Sequence, residues 1–415
     1  MIPGVSTVRP HQPVWARSIN WMGARLRSLG IDFCRYDLDG LIARARHKTG
    51  LTDLGSDDFR APLEIYISAL DREARLSALG RWLIRTDILD LLETRLRLVD
   101  LERTNPEIFA RDVTAPIFIT GAPRSGTSIL HRLLGADPGN RIPLIWEALF
   151  PCPPQGKDDR FERADRLMRK WTSIVPDVRK IHDVRGDLPS ECGMMMNASG
   201  LSDQLAISVR APSYEALVFG PDADLTEAYK WHRKVLQVLQ WQRPGRWILK
   251  APSHMGNLQT LFAVYPDARI IQTHRDPLKV LPSASSLVNA LSWVRSDSVD
   301  FDAIRQRFSA DGMAMSLDRM RAFRESGGID PDRFHDVAYD DLMRQPLREI
   351  EKIYERFAMT LTQDALSRID SALRHAPKDV HGKHDYSFAM AGWDIPAMRE
   401  KFTEYQSYYG VRSEV

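Results

Sequence analysis

Cysteine is scarce. Cys34, Cys152 and Cys192 are the only three in 415 residues, and their spacing suits neither a zinc site nor a disulfide framework. A reducing compartment fits that scarcity. Charge of one sign is also missing. The formal net charge is +2, which excludes the electrostatics of a general nucleic-acid binder. A local basic pocket for an anion is compatible with that balance. No apolar run reaches the roughly 18 residues that span a bilayer, so no transmembrane segment is expected. Peripheral contact with a membrane surface is compatible with the composition. The opening MIPGVSTVRPHQPVWARS has no basic stretch followed by an apolar core, so a cytoplasmic location is expected rather than secretion. Internal repeats and low-complexity tracts are absent.

What is present is ordinary globular material, 43% hydrophobic and 27% charged, enough for one large domain or two smaller ones. The first twenty residues look irregular. Helical spacing begins at Trp21, with Leu26, Leu29 and Ile31, and returns over residues 39–47. Residues 49–58 read as a turn. The clearest helical stretch is 62–98, with Gly80 as an expected interruption. These N-terminal helices read as packing elements, or as a lid or dimer surface.

The signal then changes. APIFIT, 115–120, is a short β run, followed by a glycine loop and the helical SILHRLLGAD. Residues 141–157 are proline-rich and read as a surface-crossing loop. Residues 160–171, 188–207 and 225–243 read as helices, the middle one core-facing with Met194, Met195 and Met196 as flexible fillers. WILK (247–250), ARIIQTH (268–274) and FHDVAY (334–339) are further strands alternating with helices, which argues for a parallel sheet. The tail after Ala376 has little regular pattern.

Two strand-to-helix corners carry chemistry. The first, GAPRSGTS at 121–128, matches most of the phosphate loop G-x-x-x-x-G-K-[ST]. Gly121 and Gly126 allow close backbone approach, and the amides with the following helix start form an oxyanion cradle. Thr127 stands where the lysine of an ATPase would be, so triphosphate chemistry is disfavoured. Arg124 supplies positive charge inside the loop instead. The second corner is THRDPLKVLPS, 273–283. Arg275 sits just past a strand and Ser283 is two helical turns on, a pair able to meet a phosphate with guanidinium and hydroxyl donors. Local helix capping by Arg275 and Asp276 is the plain alternative.

With both corners in view, the chain resembles the sulfotransferase family, in particular its bacterial branch with PRSGT in the first loop. The resemblance covers about residues 116–339 and is weaker on either side. It implies an α/β, P-loop NTPase-like three-layer fold with a central parallel sheet, plus N-terminal and inserted helices. It also implies that the donor is 3'-phosphoadenosine-5'-phosphosulfate (PAPS, leaving PAP). Gly121, Arg124, Ser125, Gly126, Thr127 and Ser128 would hold the 5'-phosphosulfate, and Arg275 and Ser283 the 3'-phosphate. Many family members have lysine where this chain has Arg124. The expected organisation is a helical extension at 1–110, an α/β core with acceptor-binding helices at 111–376, and a tail at 377–415 that closes over the cofactor.

The implied reaction is sulfuryl transfer to a hydroxyl, or less readily an amine, of a small hydrophobic and lipid-like acceptor. No metal is required, because basic side chains neutralise the donor. Arg124 would stabilise the leaving phosphate. For the acceptor base, Glu147 leads, followed by His254 and His182, with Glu191 less well placed. Lys250 ends a strand at the usual ligand crevice. Tyr339 ends another, and Lys383 and His384 lie in the tail. Trp146, Met194 and Met195 suit an apolar acceptor pocket. The competing readings are a kinase using ATP and magnesium, and a nucleotide binder of the same fold without catalysis.

Overall fold

Short apolar runs buried on both faces are what a parallel sheet requires. In the computed structural model, which describes residues 11–32, 34–176, 185–375 and 394–415, three such runs form the centre of one five-stranded sheet. The strands are β1 Ile117–Gly121, β2 Asn140–Arg141, β3 Arg246–Lys250, β4 Arg269–His274 and β5 Phe334–Ala338. They run parallel in the order β2-β3-β1-β4-β5. Ile119 pairs with Lys250 and Gly121 with Thr273, so the three central strands finish close together on one edge. The chain crosses from one side of β1 to the other between β3 and β4. That switch point is where open α/β sheets place their ligands.

The period of two along each strand divides the core. Phe118, Leu249 and Ile270 pack on one face, with the helices Thr226–Gln242 and Leu258–Val264. Ile119, Ile248 and Ile271 pack on the other, with the helices Thr127–Leu134, Pro346–Arg356 and Gln363–Arg374. The result is an α/β fold with a central parallel sheet flanked by helices.

Among the described residues five α-helices precede the sheet: α1 Val14–Ser28, α2 Leu38–Thr49, α3 Arg60–Arg72, α4 Ala78–Thr104 and the short α5 Pro106–Phe109. The expectation of irregular chain up to residue 20 is corrected here, since α1 starts at Val14. The apolar pattern there misleads because α1 buries only Ala16 and Asn20, while Trp15 and Trp21 point outward. Leu29 and Ile31 lie beyond its end and are exposed. The stretch 62–98 is broken at 73–77, where Arg75 adopts a φ of 47°, and not at Gly80.

Gly80 lies in the first turn of α4. There Ser77 caps the helix and its N–H bonds Arg295 O at 3.0 Å. A β-carbon at Gly80 would overlap that same carbonyl. Gly→Ala inside a helix normally stabilises by up to about 1 kcal/mol. Here the overlap reverses the sign, and Gly80→Ala is expected to destabilise by about 1–3 kcal/mol. A thermal melt showing no loss would contradict the close approach.

Arg95 ties α4 to the segment inserted before β3. It donates to Leu54 O at 2.7 Å and Ala198 O at 2.9 Å, and its guanidinium lies between the rings of Phe59 and Trp231. Two other expectations are revised. Residues 141–157 contain the end of β2 and the helix Ile145–Leu149, and Arg141 is fully buried rather than on a surface loop. Residues 188–207 are two short helices, Cys192–Met196 and Asp203–Ser208, separated by a left-handed turn at Gly200. In the tail, residues 376–393 lie outside the described residues, whereas Ile395–Glu400 and Thr403–Tyr409 are helical.

Candidate active site

The loop after β1 is built from unusual backbone. Gly121 has φ 146°, Arg124 φ 68° and Gly126 φ 97°. Positive φ costs glycine little and arginine more. A β-carbon on Gly121 would run into Thr273, and one on Gly126 would stand 3.0 Å from Leu342 and 3.3 Å from Tyr339. Ser125 closes the loop from beneath. Its hydroxyl is 2.6 Å from both Ala122 O and Thr273 Oγ1, and its N–H also returns to Ala122 O at 3.2 Å. Ser125 therefore shapes the loop and presents no free hydroxyl. The helix Thr127–Leu134 follows at once, and its first-turn N–H groups have no intrahelical partner. Successive N–H groups of this kind form an anion cradle.

The second corner closes on the first. Arg124 Nε donates to Ser283 Oγ at 3.1 Å, and Arg275 Nη1 donates to Arg124 O at 2.9 Å. Segments some 150 residues apart thus meet in one cationic cluster. The Arg275 guanidinium lies 3.8 Å over the Tyr339 ring. Glu414 takes its edge, with Oε1 and Oε2 accepting from Nε and Nη2 at 2.8 and 2.9 Å. Burial works against the Arg275 charge, but Glu414 and Tyr339 outweigh it and hold its pKa above the ordinary value. Asp276 is buried beside it, held by Arg399 at 2.6 and 2.9 Å and by the Glu414 N–H at 2.7 Å. Glu414 carried no recognisable signal in the sequence, because its partner lies 139 residues away.

At the end of β3, Lys250 reaches Ser128 Oγ at 3.3 Å and forms an ion pair with Glu191. The Lys250 side chain is 7% exposed and that of Glu191 42%, so the carboxylate is the open member of the pair. Asp203 lies behind them and accepts from Ser253 Oγ. Burial, with the neighbouring charge of Glu191, pushes the Asp203 carboxyl up to about 6.

The expected bases fare differently. Glu147 is not brought to this cluster. One oxygen accepts from buried Arg141 at 2.8 Å and the other from the Leu144 N–H at 3.0 Å, so the carboxylate caps a helix and neutralises a buried cation. His254 is fully buried, with the Tyr229 hydroxyl 2.6 Å from Nδ1. Burial, with His232 nearby, holds its pKa well below the ordinary value. Both side chains are buried. His182, Lys383 and His384 lie outside the described residues. The residue ranked last on sequence, Glu191, is the one the fold sets beside Lys250 and the loop.

Glu191 is the N-cap of the helix Cys192–Met196, and helical spacing puts Met194 and Met195 on its face. Those methionines line a narrow cleft, about 60 Å³ in volume, that opens to solvent. Leu91 and Thr94 of α4 and Ala148 form other walls, and Asp87, Asp90, Trp171 and Arg295 also border it. Trp146, expected here, stacks on Arg160 at 4.9 Å instead. Burial, reinforced by Glu93 and Asp87, pushes the Asp90 carboxyl up to about 7.

The sequence profile of the sulfotransferase family matches residues 116–363. Among curated proteins, the omega-hydroxy-beta-dihydromenaquinone-9 sulfotransferases Stf3 of Mycobacterium bovis and Mycobacterium tuberculosis are each 26% identical over 249 residues. The match takes in 59% of this chain and spans 63% of the length of those relatives. Among solved structures, the sulfotransferase STF1 from Mycobacterium tuberculosis H37Rv is 30% identical with a TM-score of 0.75, covering 89% of this chain and 99% of that one. The sulfotransferase STF9 from Mycobacterium avium is 27% identical with a TM-score of 0.79, covering 92% and 100%.

Proposed function

Since the chain belongs to the sulfotransferase family, we propose that it moves a sulfuryl group from PAPS to the hydroxyl of a hydrophobic acceptor. The observation that carries this is the meeting of Arg124, Ser283 and Arg275 beside a glycine cradle. One nucleotide with anions at its 5' and 3' positions fits both corners at once. The cradle of 121–128 takes the 5'-phosphosulfate, with Arg124, Thr127 and Ser128, and Arg275 with Ser283 takes the 3'-phosphate. Support for a P-loop NTPase-like three-layer arrangement comes from β1, its loop and the helix Thr127–Leu134 at the centre of the sheet. In the same reading, 1–110 is a helical extension, 111–376 the core, and 377–415 a tail over the nucleotide. The contacts of Arg399 and Glu414 with the Arg275 corner support the last. Cys34, Cys152 and Cys192 are all free, which favours a reducing, cytoplasmic setting.

Bound PAPS supplies an activated sulfuryl group; the rest is the work of side chains. The methionine cleft holds the acceptor body with its hydroxyl toward Glu191. Glu191 takes the hydroxyl proton as the acceptor oxygen bonds to sulfur. The loop N–H groups, Arg124 and Lys250 receive the charge left on the 5'-phosphate as the sulfur–oxygen bond breaks. The paired Stf3 relatives are named for a hydroxylated isoprenoid quinone. A long apolar alcohol is the acceptor class we propose here, in keeping with the cleft.

Calorimetry tests the donor. PAP is expected to bind tightly without magnesium and ATP weakly with it, since Thr127 replaces the lysine that grips a triphosphate. The reverse preference would overturn the proposal in favour of a kinase.

A further inference from the structure

Helix α1 is inverted relative to an ordinary packing helix. Its narrow inward face is Ala16 and Asn20, with Gly23 against Ala78 of α4. Its outward face carries Val14, Trp15, Ile19, Trp21 and Met22, with Val14 69% and Trp21 66% exposed. Leu29 and Ile31 extend the patch. Seven of the sixteen exposed large apolar side chains among the described residues thus lie within residues 14–31. An exposed patch of this density marks an interaction surface.

The charge pattern says what kind. Residues 14–28 contain Arg17, Arg25 and Arg27 and no acidic residue. Arg25 lies over the Trp21 ring at 5.9 Å. The nearest acidic residue in sequence, Asp32, is held by Arg81 at 2.9 Å. Exposed tryptophans with arginines among them suit the boundary between lipid headgroups and acyl chains. Anionic headgroups complement the arginines. A second copy of the chain fits less well, because a two-fold contact would set this cationic face against itself.

We propose that α1 is an interfacial helix that seats the protein on an anionic lipid surface. It does so from the side, since no helix among the described residues is long and apolar enough to cross a membrane. Its position gives the docking a use. Ala16 packs in a cluster with Leu79, Leu83 and Trp293, and Trp171, which borders that cluster, also lines the methionine cleft. The docked helix holds the cleft near the lipid boundary, where an amphiphilic alcohol resides. That use rests on the acceptor proposed above, whereas the docking itself does not.

Co-sedimentation of the full chain with vesicles tests it. Binding is expected to vesicles of phosphatidylglycerol mixed with phosphatidylcholine, and to be much weaker for phosphatidylcholine alone or in high salt. Trp15→Ser with Trp21→Ser is expected to weaken binding about tenfold or more. Arg17→Gln with Arg25→Gln should remove the preference for the anionic lipid. All these side chains are on the exposed face, so melting temperature and PAP affinity should stay unchanged and report intact folding. No partition onto anionic vesicles, or partition indifferent to both variants, would overturn the proposal. So would a dimer in sedimentation equilibrium that the tryptophan variant splits, which would make this face a protomer interface. Loss of PAP binding by the wild type would instead count against the nucleotide assignment alone.

Discussion

Glu191→Gln is expected to lower kcat by about 10²–10⁴-fold and to leave PAP affinity unchanged, which is the usual scale for removing a positioned base. Glutamine keeps the length and can still accept a hydrogen bond from Lys250, so the local geometry should survive. What it loses is the capacity to take a proton beside Lys250. The control is Glu147. Its removal leaves Arg141 buried and unpaired, and a broken buried pair costs about 3–5 kcal/mol. Glu147→Ala should therefore register in the melting temperature. Single-turnover rates together with thermal melts separate the two roles. An unchanged rate in Glu191→Gln would remove that residue from the chemistry.

The contrast between these glutamates shows what sequence could carry. Strand, loop and helix at 115–134 were legible because the phosphate cradle is local, with glycines, amides and helix start contiguous in the chain. The strands at 246–250 and 269–274 were legible from their short apolar runs, WIL and II, which a buried parallel strand requires, and the edge strand 334–338 from the alternation of FHDVA. The proposed base was not legible. Glu147 and Glu191 sit in similar apolar contexts, and only tertiary folding shows that one meets Arg141 while the other meets Lys250. His254 looked suitable from its residue type, but its burial depends on Tyr229 and Phe118, far away in sequence. The first half of helix α1, residues 14–20, was not legible for a different physical reason. Pattern reading assumes that apolar side chains face inward, and α1 turns them outward.

Arg275→Ala is expected to weaken PAP binding on the order of 100-fold while leaving the affinity for AMP, which has no 3'-phosphate, nearly unchanged. Loss of a charge-assisted, two-pronged contact is worth about 2–5 kcal/mol, and tenfold corresponds to about 1.4 kcal/mol. Glu414 sharpens the test because its effect has the opposite sign. Its carboxylate holds the Nε and Nη2 donors of Arg275, the same edge a phosphate would use. Two anions on one guanidinium repel each other, so nucleotide binding must displace Glu414 or tolerate it at a cost. Glu414→Gln removes that competition, and PAP affinity should rise by roughly tenfold with AMP again unaffected. The PAP-to-AMP affinity ratio is the quantity to measure by calorimetry, because a general disturbance of the cradle would move both nucleotides together. A fall in that ratio for Glu414→Gln would mean that the carboxylate orients Arg275 for the phosphate and does not exclude it. An unmoved ratio for Arg275→Ala would take the 3'-phosphate away from this corner altogether.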